Sequence, residues 1–129
     1  MIKILIIEDD EITNFISKTT LGKFGFKNVA YSLNGEEGLD YLKANISPDL
    51  ILLDINMPIM DGWDFLEAIN DLNLCSNVPV VITTSSSRPE DKLKGTTFKN
   101  IIEYMEKPID FEMLNTLLLK IQTKDTIKE

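Results

Sequence analysis

The sequence contains no histidine and only one cysteine, Cys75. Without histidine, His-based nucleophilic or acid–base catalysis and His-rich metal sites are excluded. A single cysteine cannot form a disulfide within the chain, and it fits a reducing compartment. The first apolar run, Ile4–Ile7, is too short for a signal peptide, and no apolar stretch approaches the length of a membrane span. We therefore expect a cytoplasmic protein with no membrane partner.

Positive charge is also scarce in this chain. Thirteen Lys and Arg stand against twenty-one Asp and Glu, which gives a formal net charge of -8. Such a surface repels phosphate backbones, so direct binding of DNA or RNA is not expected. The 129 residues allow one compact domain, and the hydrophobic content of 43% is ordinary for a globular core.

Short apolar runs alternate with segments of helical character along the whole chain. The runs are mostly continuous, which is typical of strands buried on both faces of a parallel sheet. They are Ile4–Ile7, Val29–Tyr31, Leu50–Leu53, Val80–Ile82 and Ile101–Met105. Strand alternating with helix in this way predicts an α/β domain with a parallel sheet and helices on both faces.

The first helix is predicted to begin after an N-cap at Asp10 and to end before Gly25. Its apolar residues can share one broad face toward the core. They are Ile12, Ile16, Leu21 and Phe24. The second helix is predicted over about residues 35–44, and the third from about residue 62 onward.

The last two helices differ in quality. Ser87 with Glu90 three residues later predicts a capping box for the fourth helix. The following stretch, Leu93–Phe98, is poor in helix-forming residues, so a short or loose helix is expected. The fifth helix is predicted to begin after an N-cap at Asp110, and the polar run Thr123–Glu129 to be frayed.

Polar residues gather where four of the predicted strands end. Glu8 and Asp9 follow the first strand, Asp54 the third, Thr84 the fourth and Lys107 the fifth. Ligands of open parallel sheets bind beyond the carboxyl ends of the strands, so we expect these side chains to converge. Clustered carboxylates repel one another unless a cation lies between them. A set of oxygen ligands without Cys or His selects Mg²⁺ or a similar ion.

This set suits phosphoryl transfer to a carboxylate. The transferring group spreads negative charge over its equatorial oxygens. A metal ion, the ammonium of Lys107 and a hydroxyl of Thr84 or Ser85 can take one oxygen each. Asp54 would be an ionised nucleophile that needs no general base, so the catalytic contribution is positioning and charge neutralisation.

Each of these residues also has an ordinary structural interpretation. Acids such as Glu8–Asp10 are favoured at helix N-termini, and Thr84 is a good β-former. Asp61 fits a turn that starts a helix, and Tyr104 fits a packing role. The functional hypothesis therefore depends on their joint placement at the ends of different strands.

At these positions the sequence resembles the CheY-like receiver domains of response regulators. The resemblance covers nearly the whole chain and is carried by four stretches, residues 4–10, 54–62, 79–85 and 104–108. It implies a flavodoxin-like, doubly wound sheet of five parallel strands in the order 2-1-3-4-5 with five helices. It also implies a receiver domain over residues 1–124, a short polar tail at 125–129 and no output domain.

The resemblance also implies a metal site and a phosphoacceptor. Asp54 matches the aspartate that takes the phosphoryl group. Mg²⁺ or Mn²⁺ would be bound by Glu8, Asp9, Asp54 and the backbone carbonyl of Asn56. Glu8 stands where many members of the family have Asp, which lengthens the reach to the metal. Ser85 stands where a small Ala or Gly is frequent.

Three further residues match the family's switch. Thr84 matches the hydroxyl that turns toward the phosphoryl group, Lys107 the lysine that pairs with it, and Tyr104 the aromatic ring that moves inward on activation. The implied function is acceptance of a phosphoryl group from a phosphohistidine on a sensor histidine kinase or a histidine phosphotransfer protein. The chain would then signal to a downstream protein and would not be an enzyme, apart from its own phosphorylation and dephosphorylation.

Three alternatives remain open from the sequence. A haloacid-dehalogenase-like phosphatase also forms an aspartyl phosphate, but its nucleophile lies in a D-x-D at the first strand. A flavodoxin-like carrier shares the architecture, but its first loop is rich in Ser and Thr, whereas the loop here is acidic. A receiver that serves only as an interaction module is the third.

Overall fold

A computed structural model describes residues 1–75, 77–86 and 88–128 of the chain. Strands and helices alternate from the first residue to the last in this part. The strands are β1 (Lys3–Ile7), β2 (Asn28–Ser32), β3 (Leu50–Asp54), β4 (Val80–Thr84) and β5 (Ile101–Glu106). The helices are α1 (Glu11–Lys23), α2 (Gly35–Ala44), α3 (Gly62–Asp71), α4 (Pro89–Gly95) and α5 (Phe111–Lys128).

The five strands form one parallel sheet in the order β2-β1-β3-β4-β5. The strand order changes direction at β1, since β2 lies on one side of it and β3 on the other. This confirms the expected α/β class and the flavodoxin-like order. All strands run the same way, so their carboxyl ends share one edge of the sheet.

Two hydrophobic clusters cover the two faces of the sheet. Alternate residues of a strand point to opposite faces, and β1 illustrates this rule. Leu5 and Ile7 belong to the cluster that packs against α2 and α3, whereas Ile4 and Ile6 belong to the cluster that packs against α1 and α5. Burial on both faces explains why the strands are continuous apolar runs.

The predicted apolar face of α1 is wrong. Of the four residues assigned to it only Leu21 is buried, while Ile12, Ile16 and Phe24 are 72%, 53% and 40% exposed. The buried residues of α1 are Asn14, Ser17 and Leu21, which are spaced by three and four positions and so share one face. Helix periodicity allowed both faces, and the inward one contains two polar residues that hydrophobicity alone does not select.

The predicted helix starts at Asp10 and Asp61 match the structure. Asp10 caps α1 by accepting hydrogen bonds from the amides of Ile12 and Thr13. Asp61 caps α3 through the amide of Asp64, as a turn residue at a helix start should.

At the carboxyl end of the chain, α4 has only 7 residues, as its poor helix formers predict. Ser87, the expected capping residue, lies outside the described residues, and Arg88 holds the N-cap position. Asp110 accepts from the amide of Met113 at the start of α5, and α5 continues to Lys128, beyond the expected end. No helix in the described part is long and apolar enough to cross a membrane.

Candidate functional site

Three carboxylates meet at the carboxyl edge of the sheet. Glu8 and Asp9 follow β1, and Asp54 is the last residue of β3. One carboxylate oxygen from each lies within 4.8 Å of the others. Glu8 and Asp54 are buried, at 2% and 4% exposure, whereas Asp9 is exposed. The three acids predicted at the carboxyl ends of the strands therefore lie close together in the structure.

The three acids lie close enough for their charges to interact. Partial burial, followed by the hydrogen bond and the negative charge of Glu8, raises the pKa of Asp9 above its ordinary value. A raised pKa means that the charged form of Asp9 is disfavoured in this surrounding. Bringing these carboxylates together therefore works against folding unless positive charge compensates them.

Lys107 supplies positive charge from the end of β5. Its Nζ donates to Oε1 of Glu8 and lies 3.5 Å from Oδ2 of Asp54. Burial opposes the charge of Lys107, but the hydrogen bond with Glu8 and the charge of Asp54 raise its pKa overall. The peptide bond between Lys107 and Pro108 is cis, and the Lys107 amide donates to the Thr84 carbonyl at 2.7 Å.

The loop after Asp54 is held tightly against the end of β3. The amide of Asn56 donates to Oδ1 of Asp54 at 3.1 Å, and the amide of Gly62 donates to the carbonyl of Ile55 at 3.1 Å. A Cβ on Gly62 would lie 2.7 Å from the carbonyl oxygen of Asp54, so only glycine fits there. These bonds fix the direction of the Asp54 carboxylate. The metal role of the Asn56 carbonyl stays a prediction.

Asn14 holds the backbone of Glu8 in place, and the sequence analysis did not identify this residue. This side chain is fully buried in α1, and its Nδ2 donates to the carbonyl oxygen of Glu8 at 2.9 Å. The amide of Glu8 donates to the carbonyl of Ser32 on the other side. Asn14 lies seven residues before the buried Leu21, so the correct helical face of α1 would have identified it.

Thr84 ends β4 beside Asp54. Asp54 pairs in register with Thr83, one residue before Thr84. The Thr84 side chain is fully buried, and its Oγ1 accepts from the amide of Ser86 at 3.0 Å and from Nδ2 of Asn56 at 3.4 Å. Its hydroxyl hydrogen is a donor next to the loop that holds Asp54.

Tyr104 lies under α4 on the far side of β4. Its ring is close to Gly95, where an added Cβ would lie 3.6 Å from the Tyr104 Cδ2. The hydroxyl is buried and has no hydrogen-bond partner among the described residues. Burial is the main cause that raises the pKa of Tyr104, so the phenol stays neutral. A buried hydroxyl without a partner is an unfavourable arrangement that a different conformation can relieve.

The chemistry of the donor set fits a hard divalent cation. The carboxylates offer only oxygen atoms, as Mg²⁺ or Mn²⁺ prefers, and the described cluster contains no sulfur or imidazole. Within this set, Oδ1 of Asp54 accepts from the Asn56 amide, and Oδ2 lies 3.5 Å from the Lys107 ammonium. Such a site can bring a nucleophilic oxygen of Asp54 close to an incoming phosphorus. A bound cation and Lys107 would neutralise the negative charges of the carboxylates and of the phosphoryl group.

Comparison with known proteins gives the same family. Residues 4–119 match the family described as "Response regulator receiver domain". The chain is 34% identical over 116 residues to "Sensor histidine kinase CheAY" of Helicobacter pylori, which covers 89% of this chain and 14% of that protein. The chain therefore belongs to the response regulator receiver family, and it is a receiver domain of two-component signalling.

Solved structures agree with this assignment. The N-terminal domain of an uncharacterized Wolinella succinogenes protein superposes with a TM-score of 0.85 at 27% identity, covering 100% of each chain. The Thermotoga maritima response regulator TrrA, solved in complex with Mg(2+)-BeF, gives 0.77 at 25% identity over 94% of this chain and 99% of that one. The chain spans only 14%, 58% and 52% of the first three curated relatives it matches.

Family membership excludes two of the three alternatives that the sequence left open. A haloacid-dehalogenase-like phosphatase and a flavodoxin-like carrier both belong to other families, so neither describes this chain. The predicted residues Glu8, Asp9, Asp54 and Lys107 lie together, with Thr84 adjoining through Asn56. Tyr104 lies further away, against Gly95 of α4.

Proposed function

We propose that Asp54 accepts a phosphoryl group in a reaction that depends on Mg²⁺, and that this changes the surface the domain offers to a partner. One observation carries the proposal. Carboxylate oxygens of Glu8, Asp9 and Asp54 come from two strands and lie within 4.8 Å of one another, beside the ammonium of Lys107. A cluster that is unfavourable by itself is expected where a cation and a phosphoryl group are to be bound.

The chain's own residues would divide the catalytic contributions. Glu8, Asp9 and Asp54, with the Asn56 carbonyl, would hold Mg²⁺, which would supply charge neutralisation at the phosphoryl oxygens. Asp54 would attack phosphorus with Oδ2, the oxygen that is not fixed by the Asn56 amide, and form an acyl phosphate. The P–N bond to the imidazole of a phosphohistidine donor breaks in the same step, and its electron pair leaves with the imidazole nitrogen. Lys107, already 3.5 Å from Asp54, meets a second phosphoryl oxygen. Because the nucleophile is a carboxylate oxygen and not a hydroxyl, the step needs no general base.

Thr84 and Tyr104 would convert this local event into a change of shape. The acyl phosphate at Asp54 would carry almost two negative charges where the carboxylate carried one, and it would present new acceptor oxygens. Thr84 can donate its hydroxyl hydrogen to one of them by leaving its present contacts with Ser86 and Asn56. Tyr104, whose hydroxyl lacks a partner among the described residues, would then move into the space that Thr84 leaves. These movements would change the exposed surface formed by α4 and β5, which a downstream partner would bind.

The donor would be a phosphohistidine on a histidine kinase or phosphotransfer protein. An apolar surface beside the site supports a protein donor. Ile12, Phe15 and Ile16 of α1 are 72%, 71% and 53% exposed, and Ile16 also lines a groove of about 420 Å³. That groove is lined by Thr13, Ile16, Ser17, Lys107, Pro108, Ile109 and Phe111. Lys107 thus borders both the groove and the carboxylates, so a helical partner docked there would face Asp54.

The experiment compares labelling by acetyl phosphate, with and without Mg²⁺, in the wild type, in Asp54→Asn and in Asp61→Asn. Asp61→Asn is a matched control because it removes the same charge in the same loop, and Asn caps a helix as well as Asp does. Wild type and Asp61→Asn should label in Mg²⁺ and not in EDTA, whereas Asp54→Asn should not label. A phosphohistidine-bearing transfer protein should replace acetyl phosphate as donor.

Two results would contradict the proposal. Stoichiometric labelling of Asp54→Asn would place the phosphoryl group elsewhere. A wild-type protein that is folded, binds Mg²⁺ and takes no label from either donor would instead favour a pure interaction module, in which the acids have lost their chemical role.

A further inference from the structure

A buried carboxylate in α4, Asp91, takes no part in the site described above. It lies in the first turn of this 7-residue helix and is only 6% exposed. A charged carboxylate that is removed from water needs hydrogen-bonding or charged partners, because desolvation disfavours its charge. The partners of Asp91 therefore indicate what it holds in place.

Three side chains, two from one loop and one from a second helix, converge on Asp91. Oδ2 accepts from Oγ of Ser86 at 2.7 Å and from Nε of Arg88 at 3.1 Å, both in the loop between β4 and α4. Oδ1 accepts from the indole Nε1 of Trp63, in α3, at 3.4 Å. The Ser86 hydroxyl is the main cause that lowers the pKa of Asp91, so the group is ionised at neutral pH. Asp91 thus fastens α4 to a loop and to a second helix.

Ser86 leads from Asp91 back to the phosphorylation site. Its amide donates to Oγ1 of Thr84 at 3.0 Å, while its own hydroxyl donates to Asp91. A continuous path of hydrogen bonds therefore runs from Thr84 through Ser86 and Asp91 to Trp63. If the Thr84 hydroxyl turns toward a phosphoryl group, its oxygen leaves the Ser86 amide, and the first bond of this path is lost.

We propose that Asp91 is a positioning residue that holds the unphosphorylated conformation: it fixes Ser86, and through it Thr84, while keeping α4 against α3. The inference rests on the proposed function, because it assumes that Thr84 moves when Asp54 is modified. Coupling between two sites is reciprocal. Weakening the Asp91 contacts should therefore make the activated conformation easier to reach and raise the affinity for a phosphoryl mimic.

Tyr104 packs against α4, so a movement of α4 would change its surroundings. Its ring and the ring of Trp63 both face Gly95 of α4, at 3.6 and 3.8 Å from a Cβ built there. Trp63 also stacks on Phe98 with 6.0 Å between ring centroids. Release of α4 from Trp63 would change the space around Tyr104, whose buried hydroxyl has no hydrogen-bond partner among the described residues. The Asp91 contacts thus join the two predicted switch residues, Thr84 and Tyr104.

The test measures beryllofluoride binding in Mg²⁺ by fluorine NMR for the wild type, Ser86→Ala, Asp91→Asn and Glu90→Gln. Glu90→Gln is the matched control, since it removes an exposed acid from the same helical turn. Ser86→Ala removes one hydroxyl and keeps the chain intact if Asp91→Asn folds poorly. Both variants should reach half-saturation at a beryllofluoride concentration at least about fivefold lower than wild type, the lower end of ordinary coupling. Glu90→Gln should match wild type within about twofold.

Trp63, the only tryptophan in the chain, gives an independent reading. In the wild type, beryllofluoride should make the Trp63 indole more accessible to acrylamide, which is measured as stronger quenching of its fluorescence. In Ser86→Ala and Asp91→Asn the accessibility should already be raised without beryllofluoride. A purely structural role of Asp91 would instead weaken beryllofluoride binding, because a damaged fold binds less well.

The outcomes separate the two proposals. If the wild type binds beryllofluoride but both variants need the same or a higher concentration than Glu90→Gln, the role of Asp91 is overturned and the proposed function stands. If the wild type binds none in Mg²⁺, the proposed function is overturned together with the coupling that depends on it.

Discussion

The two edges of the sheet use polar residues in opposite ways. At the amino edge, Asp49 accepts from the amide of Lys3 at 2.8 Å, and its own amide donates to the Lys3 carbonyl. Asn100 donates from its side chain to the carbonyl of Val78 and accepts from the amide of Val80 with its backbone oxygen. Each polar group there satisfies backbone that the strands leave open.

At the carboxyl edge the acids face one another instead. Glu8, Asp9 and Asp54 converge within 4.8 Å, and Lys107 supplies the ammonium. The acid of the amino edge therefore stabilises the fold, whereas the acids of the carboxyl edge favour a bound cation. We propose that this difference separates structural from functional carboxylates in the molecule, and it can be tested one residue at a time.

The largest expected effect is the response to Mg²⁺. Because the ion binds the folded state, the wild type should gain about 2.7 kcal/mol in unfolding free energy when free Mg²⁺ is a hundred times the dissociation constant. Asp9→Asn should lose most of this gain, and Asp49→Asn at the other edge should keep it. Urea unfolding with and without Mg²⁺ measures both, and an equal gain in the two variants would contradict the assignment.

Removing Lys107 should have the next largest effect. Lys107→Ala leaves Glu8 and Asp54 buried without their cation, so the metal-free protein should lose about 2 kcal/mol of unfolding free energy, less than for a fully buried pair. Mg²⁺ should still bind and restore part of the loss, while beryllofluoride should engage the protein poorly. Unchanged stability in EDTA would show that the acids do not depend on Lys107.

A smaller effect is expected at the amino edge. Asp49→Asn keeps the shape of the side chain but weakens the hydrogen bond from the Lys3 amide. The unfolding free energy should fall by about 1 kcal/mol, equally in Mg²⁺ and EDTA. Thermal unfolding in both buffers measures it. A loss that depends on Mg²⁺ would show that Asp49 is linked to the metal after all.

The smallest effect should be a stabilisation. The folded state raises the pKa of Asp9, so its carboxyl favours folding only when protonated. That contribution is complete below the ordinary pKa of 3.8 and is lost as pH rises through the folded value. In EDTA, Asp9→Asn should therefore be more stable than wild type near pH 7, and the difference should vanish below about pH 4. A destabilised Asp9→Asn at neutral pH would contradict mutual repulsion.

The fold and most of the proposed site could be predicted from the sequence for a physical reason. The strands are continuous apolar runs, and residues directly after a parallel strand all reach the same edge. Glu8, Asp9, Asp54 and Lys107 needed only this rule to be brought together. The order 2-1-3-4-5 came from the family resemblance.

Residues whose roles depend on tertiary packing were not predictable in the same way. The face of α1 was misassigned because Asn14 and Ser17 are polar, yet they face the sheet. Nothing in the sequence separates Asp91 from its exposed neighbour Glu90, and only the three-dimensional contacts with Ser86 and Trp63 distinguish the two acids.

The most direct test of the central claim is to locate the phosphoryl group on the chain. After reaction with acetyl phosphate in Mg²⁺, the acyl phosphate is reduced with borohydride, and the modified residue is identified by mass spectrometry of peptides. We expect one modified residue, Asp54, and none when EDTA replaces Mg²⁺. Modification of another residue, or equal modification of Asp54 in EDTA, would contradict it.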